Sequence, residues 1–197
     1  MASSARLYDI TVEKKYLDAA TRARAYIRNH FINDNGLKTD WVFTYNQGKY
    51  IEALAVLYAK TKKTEYLDEA VMLRSKVIAL PCLYLSQVSD NAYCSTGEDG
   101  IITEGQKQPA KKNDDARNFK GIYLRALAIL YHRAPKNHGI RPLIKAYINV
   151  QVNALIDLSS RGDQYGVMWH GPMDEGYTHG QMTALDALAG YISVNYS

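Results

Sequence analysis

Apolar residues recur along most of this chain with the period of an α-helix, and no stretch sustains the alternation of apolar and polar residues that is typical of a β-strand. The pattern therefore predicts an all-α protein. It indicates six helices, at about residues 10 to 30, 47 to 61, 64 to 80, 117 to 133, 140 to 159 and 178 to 194. The two long intervening segments, 81 to 116 and 160 to 177, have the length of functional or disordered loops.

The predicted helices alternate between two kinds. The first, third and fifth carry one apolar and one polar face, whereas the second, fourth and sixth are apolar almost all round. In GIYLRALAILY of the fourth helix, Arg125 is the single charged residue, and enclosure of this helix predicts an ion pair with a carboxylate such as Glu52 or Asp186. The alternation is typical of a double layer of helical hairpins, with one layer outside and one lining the centre.

A short repeat supports the arrangement in hairpins. The sequence YLDAA at residues 16 to 20 recurs as YLDEA at 66 to 70. A glycine also stands near the start of each predicted interior helix, at Gly48, Gly121 and Gly180. The spacings between these glycines are too uneven for a regular solenoid.

The second predicted helix begins with polar and aromatic residues. In TYNQGKYIEALAVLY, residues 44 to 58, an aromatic ring and two amides lead into an almost wholly apolar stretch. In a ring of hairpins the start of an interior helix lies where the central cavity meets solvent, so these side chains can line a cleft. Aromatic faces and amides suit a sugar, which stacks its C–H faces and needs partners for its hydroxyl groups. The alternative is an ordinary N-terminal cap with rings in the core.

Length and charge limit the other function classes. The 197 residues are enough for one domain over residues 1 to 197 with a hydrophobic core. The net charge of +4 comes from 24 basic residues interspersed with 20 acidic ones, which does not favour nucleic acid as a partner. No apolar run is long enough for a membrane span, and residues 1 to 30 contain no signal peptide.

Signatures of cofactor chemistry are missing. There is no glycine-rich phosphate loop, no GxSxG and no Cys–His motif, so we expect no cofactor. Cys82 and Cys94 are compatible either with a local disulfide or with two free thiols. We expect no metal, because zinc-type spacing is missing from the set His170, Asp174, Glu175 and His179.

Six segments occur in the order seen in glycoside hydrolase family 76: TYNQG, LYAKTKKTEYLDEA, GIITEG, NFKGIYLRAL, YGVMWHGP and QMTALDAL. Over residues 16 to 194 the chain resembles the C-terminal half of such a domain. The family comprises endo-acting α-1,6-mannanases of bacteria and related fungal cell-wall proteins thought to act as transglycosylases, built on an (α/α)6 barrel. The resemblance implies about half of an α/α toroid, α-mannan or a mannooligosaccharide as partner, and an extracellular or cell-wall location.

By the same resemblance, substrate-binding residues are expected at the starts of two interior helices and in the loop before the third: Thr44, Tyr45, Asn46, Gln47, Phe119, Lys120 and Trp169. Phe119 would offer a stacking face, and Lys120 a charged donor to sugar hydroxyl groups. The alternative for each is structural: a ring in the core, a surface lysine, or packing of Trp169.

The catalytic residues are left unknown. The family's catalytic pair is two adjacent aspartates followed closely by tryptophan, in the N-terminal half of the barrel, and no such segment occurs here. Asp114 and Asp115 are an adjacent pair, but they precede FKG, where family members carry a polar lead-in. The carboxylates that we expect to face a cleft are Asp40, Glu104, Asp114, Asp115, Asp174 and Glu175.

Three functions agree with these patterns. The first is a hydrolase or transglycosylase acting on α-1,6-mannan, with its catalytic pair replaced or supplied elsewhere. The second is a non-catalytic carbohydrate-binding protein, and the third is an α-helical scaffold that binds protein. Six helices give three hairpins, whereas an (α/α)6 ring has six, so a lone chain would expose the sides of its interior helices. We therefore expect a truncated domain, self-association, or pairing with a second half-barrel chain.

Overall fold

The computed structural model describes residues 1–33, 36–37, 43–78, 94–96, 99–104, 115–173 and 178–196. Within these ranges the helices are α1 (Ala2–Thr11), α2 (Lys14–Phe31), α3 (Thr44–Thr61), α4 (Thr64–Ile78), α5 (Phe119–Arg133), α6 (Ile140–Leu158) and α7 (Thr178–Asn195). A short 3₁₀ helix, Asp115–Asn118, leads into α5. The all-α class is confirmed, and α3 to α7 lie where the periodicity places them. In the described part of the chain, no helix is both long and apolar enough to cross a membrane.

The helix predicted at residues 10 to 30 is two helices, α1 and α2. Val12 adopts a left-handed conformation (φ 58°, ψ 13°), and its N–H donates to the carbonyl of Tyr8 at the end of α1. The residue in this conformation after a helix is usually glycine. Because valine occupies the position here, the sequence pattern gives no sign of the break, and α1 is missed.

Three antiparallel hairpins each connect an outer helix to the next inner helix: β1–β2 (Ile32–Asn33 with Gly36–Leu37), β3–β4 (Cys94–Thr96 with Ile102–Glu104) and β5–β6 (Ser160–Arg161 with Gln164–Tyr165). Strands of two or three residues are too short to show an alternating pattern, which is why the sequence does not reveal them. Cys94 lies in β3, whereas Cys82 is outside the described residues, so the question of a disulfide stays open.

The helices form two layers. The inner helices α1, α3, α5 and α7 pack side by side in that order, and α2 covers α1, α4 covers α3, and α6 covers α5 and α7. Both α3 and α5 are enclosed, and Ile51, Leu54, Leu124 and Leu127 have no exposed surface. The predicted alternation of outer and enclosed helices is therefore confirmed for these two inner helices.

One face of α7 differs from this pattern. Thr183, Ala184 and Ala187 on one side are buried. The opposite side exposes an apolar row that we call the α7 stripe: Met182, Leu185, Ala189 and Ile192. Exposure of an inner helix on one side agrees with the expectation for a chain with fewer hairpins than a closed ring.

The predicted partner of Arg125 is confirmed as Asp186. Arg125 Nη1 lies 3.3 Å from Asp186 Oδ1, and the ion pair links α5 to α7. The Arg125 side chain is 48% exposed, so this pair lies at the edge of the interface between the two helices and not in the core.

All three glycines at inner-helix starts lie where another part of the chain comes close, and a Cβ atom on Gly180 would collide with the carbonyl group of Tyr165. A Cβ atom on Gly48 would lie 2.9 Å from the Cα atom of Tyr123, and one on Gly121 would lie 3.2 Å from the Cα atom of Thr183. Contacts this short leave no room for a side chain. Gly48 therefore permits the close approach of α3 to α5, and Gly121 that of α5 to α7.

Candidate functional site

Three aromatic rings meet where α3 and α5 begin. Phe119 lies 5.1 Å from Phe43 and 4.3 Å from Tyr45, measured between ring centroids, and Phe43 lies 6.2 Å from Tyr45. Each of the three residues is partly exposed. We call this set the aromatic cluster. It brings together Tyr45 and Phe119, which the sequence assigned to substrate binding, and adds Phe43, which was missed although it directly precedes the TYNQ stretch.

Thr44 lies beneath the cluster and is bound by a carboxyl group from another element. Its N–H donates to Glu104 Oε1 at 2.7 Å, and its hydroxyl group pairs with Glu104 Oε2 at 2.6 Å. Phe43, the N-cap residue of α3, makes no side-chain cap. The carboxyl group of Glu104 therefore supplies the cap that the first turn of α3 lacks locally.

Helix α6 fixes the position of the strand that carries Glu104. Glu104 ends strand β4, and the N–H of Ile102 in the same strand donates to Gln151 Oε1 at 2.8 Å. Gln151 Nε2 in turn donates to the carbonyl of Gly100 at 2.8 Å. Because Gln151 is fully buried, it holds the β3–β4 hairpin firmly against the helical layers.

Burial raises the pKa of Glu104 to about 7, although the hydrogen bonds from Thr44 and the positive charge of Lys120 act in the opposite direction. The carboxyl group is therefore partly protonated near neutral pH. The sequence identified Glu104 only as one of several carboxylates expected to face a cleft. Its contact with Thr44 could not be predicted, because the two residues are 60 positions apart and no local pattern indicates that they meet.

Lys120 points inward from the second residue of α5. Its ammonium group donates to the carbonyl of Val167 and lies 4.7 Å from the centre of the Trp169 ring. Lys120 is 4% exposed and Trp169 is completely buried. Both residues thus lie in the wall beneath the aromatic cluster, and direct contact of either with a sugar stays a prediction.

The structure describes the remaining predicted site residues only in part. Asn46 is exposed, whereas Gln47 is almost fully buried on the same turn of α3. Asp115 begins the short 3₁₀ helix, and its side chain is not among those described. The other carboxylates expected to face a cleft lie outside the described residues: Asp40, Asp114, Asp174 and Glu175.

Two further contacts hold the segments that connect the helices near the aromatic cluster. The hydroxyl group of Thr183 on α7 donates to the carbonyl of Arg117 and lies 3.0 Å from Asn118 Oδ1, which fixes the 3₁₀ helix before α5. His170 Nε2 lies 3.1 Å from Asp99 Oδ2, so the segment after β6 is tied to the β3–β4 hairpin. Among the described residues no three His, Cys, Asp or Glu side chains converge as a metal site would require.

Comparison with known proteins identifies the family. The sequence profile of glycosyl hydrolase family 76 matches residues 1–193. A search of curated proteins gave no match. Among solved structures, the chain is similar to an inactive variant of the α-1,6-mannanase of Salegentibacter sp. HEL1_6 in complex with α-1,6-mannotriose, with 19% identity and a TM-score of 0.79. It is also similar to the Lin0763 protein of Listeria innocua, with 21% identity and a TM-score of 0.73, and to a polysaccharide lyase, with 13% and 0.67.

The matched lengths confirm the expected half toroid. The similarity covers 98% of this chain but 56% of the Salegentibacter protein, and 99% of this chain but 53% of the Listeria protein. The chain thus spans about half the length of the solved structures that it matches. The two-layer arrangement of α1 to α7 corresponds to that part of an α/α toroid.

Proposed function

Since the chain belongs to glycosyl hydrolase family 76, we propose that it binds α-1,6-linked mannan or mannooligosaccharides at the aromatic cluster. The observation that carries this proposal is the meeting of Phe43, Tyr45 and Phe119, all partly exposed, at the starts of two inner helices. Partly exposed aromatic rings can stack against the C–H faces of a pyranose. The complex of the Salegentibacter variant with α-1,6-mannotriose supports the choice of sugar.

The polar groups next to the rings suit the hydroxyl groups of such a ligand. Asn46 is exposed beside Tyr45, and its amide can both donate and accept hydrogen bonds. Both carboxyl oxygens of Glu104 are occupied by Thr44, the residue directly before Tyr45, so Glu104 supports the cluster and is not assigned to the ligand. A few oriented polar groups beside an apolar surface are what a small-molecule site requires.

We propose hydrolysis or transglycosylation of the same glycan as the activity of the complete site. Glycoside hydrolysis needs two carboxyl groups, about 5 to 5.5 Å apart for retention or about 6.5 to 9.5 Å apart for inversion. Asp114 and Asp115 are the candidates within this chain, and a pair supplied by the other half of a toroid is the alternative. Release of reducing ends from α-1,6-mannan that disappears in Asp114→Asn or Asp115→Asn, with stability unchanged, supports the first assignment. Activity unchanged in both variants excludes it.

Binding of α-1,6-mannotetraose, measured by isothermal titration calorimetry, tests the main proposal. We expect Tyr45→Ala and Phe119→Ala each to weaken the affinity roughly tenfold, because each removes a stacking face. The matched control is Tyr26→Ala on outer helix α2, which removes a ring that is 57% exposed and stacks on His30 of the same helix. Absence of saturable binding by the unmodified chain overturns the proposal.

The α7 stripe favours an additional role in assembly. We propose that it packs against further helices of a toroid, supplied by self-association or by a second half-barrel chain. Light scattering with and without mannotetraose measures this. A dimer, or an assembly stabilised by the sugar, supports a shared cleft, whereas a monomer whose mass is unaffected by sugar contradicts it.

A further inference from the structure

The contact between Glu104 and Thr44 links two elements that are far apart in sequence. On one side Thr44 is the first residue of α3, directly before Tyr45. On the other side Glu104 ends a hairpin that Gln151 fixes to α6. Two short hydrogen bonds, of 2.7 and 2.6 Å, therefore determine where the first turn of α3 begins relative to the rest of the fold.

The aromatic cluster depends on the same turn. Tyr45 follows Thr44, and its ring lies 4.3 Å from that of Phe119, which belongs to α5. A shift of the first turn of α3 would carry Tyr45 away from Phe119, because α5 is independently held by the 3₁₀ helix and Thr183. The geometry of the aromatic cluster thus depends on the contacts that one carboxyl group makes with Thr44.

We propose that Glu104 is a positioning residue: through its two contacts with Thr44 it holds the first turn of α3, and with it Tyr45, against Phe119, and loss of these contacts weakens sugar binding. The part that concerns sugar affinity rests on the function proposed above. Glu104 is not assigned a role in bond cleavage.

Thr44 donates both hydrogen bonds to the carboxyl oxygens of Glu104. These bonds and the positive charge of Lys120 favour the ionised carboxylate, whereas burial favours the neutral acid and raises the pKa of Glu104 to about 7. Because both forms of the carboxyl group have an oxygen that accepts from the N–H of Thr44, the positioning role does not depend on which form predominates.

A second contact of the same hairpin provides the control. Asp99, between β3 and β4, lies 3.1 Å from His170 Nε2 of the segment after β6, measured from its Oδ2 atom. His170→Gln therefore changes a contact of the hairpin without touching Glu104 or Thr44.

Replacement of Glu104 tests the positioning role. Glu104→Ala removes both contacts with Thr44, whereas in Glu104→Gln the amide oxygen can still accept from Thr44 N–H and the nitrogen can donate to Thr44 Oγ1. We expect Glu104→Ala to weaken the affinity for α-1,6-mannotetraose about tenfold, and Glu104→Gln to stay within about threefold of the unmodified chain. In His170→Gln we expect the affinity of the unmodified chain.

A second measurement does not depend on sugar. Amide hydrogen exchange of Thr44, Tyr45 and Asn46, compared at one pH, should show protection in the unmodified chain that persists in Glu104→Gln and is lost in Glu104→Ala. If this occurs without any mannotetraose binding, the positioning role stands and the proposed sugar function falls. If Glu104→Ala keeps full protection and affinity, the positioning role is overturned.

Discussion

Helices α5 and α7 have the same apolar character in sequence and different surroundings in the fold. On α5, Tyr123, Leu124 and Leu127 have no exposed surface, whereas on α7 Leu185 is 67% and Ile192 58% exposed. The reason is position: α5 lies between α3 and α7, while within the described residues α7 packs against an inner helix on one side. An apolar sequence shows how much surface a helix is able to bury, and its neighbours decide how much it does bury.

Truncation of one leucine on each helix should show the largest difference in stability between α5 and α7. We expect Leu127→Ala on α5 to lower the free energy of unfolding by about 2 to 5 kcal/mol, because it removes buried contacts and leaves a cavity. The matched change Leu185→Ala on α7 should alter it by less than about 0.5 kcal/mol. Denaturant unfolding of both variants measures the difference. A similar loss for Leu185→Ala would show that the α7 stripe is covered in solution, and its dependence on protein concentration would identify self-association.

The next largest difference in stability should come from replacing one glycine on α3 and one on α7, the helices on either side of α5. In Gly48→Ala the new Cβ atom would meet the backbone of Tyr123 at 2.9 Å, so we expect a loss of about 1 to 3 kcal/mol as α3 moves away from α5. In Gly190→Ala on α7 the nearest atom is 3.9 Å away, and alanine should be neutral or stabilise the helix by up to about 1 kcal/mol. Thermal unfolding compares the two. If both variants were as stable as the unmodified chain, α3 would be able to move away from α5 at little cost in free energy.

Ion pairs between the inner helices should show the same difference between the enclosed helices and α7. Glu52 on α3 is 7% exposed and binds Arg6 of α1 at 2.8 Å and Lys49 at 2.9 Å, whereas the Arg125–Asp186 pair of α5 and α7 is 48% and 28% exposed. We expect Glu52→Gln to cost about 1 to 2 kcal/mol and Asp186→Asn less than about 1 kcal/mol at neutral pH.

The pH dependence of the first variant has a defined sign. Burial opposes ionisation of Glu52, but Lys49 and Arg6 outweigh it and lower its pKa. The stabilisation is therefore fully present above the ordinary pKa of glutamate and is lost as the pH falls through the lowered value. Unfolding of Glu52→Gln and of the unmodified chain should converge in acid. A difference that persists at low pH would assign the effect to packing instead of charge.

Much of the candidate site was open to prediction from local sequence. The TYNQ and FKG segments placed Tyr45 and Phe119 at the starts of inner helices. The single charge of the fourth predicted helix led to an ion pair with a carboxylate such as Glu52 or Asp186, and the structure shows Asp186. Phe43 was missed because a residue before a helix carries no periodic signal. Glu104 was recognised only as one of several carboxylates, because the residue that it binds lies in a different element.

The sequence by itself determined the all-α class, the position of most helices and the layered arrangement, because each depends on the spacing of apolar residues along a few turns. Tertiary structure alone decided the break at Val12, the contact of Glu104 with Thr44 and the fact that α7 is the inner helix with the exposed apolar face. These depend on which elements meet across tens of residues, and the free energies involved come from burial and from contacts that no local pattern contains. For that reason α5 and α7 look alike as sequences, and only the fold separates them.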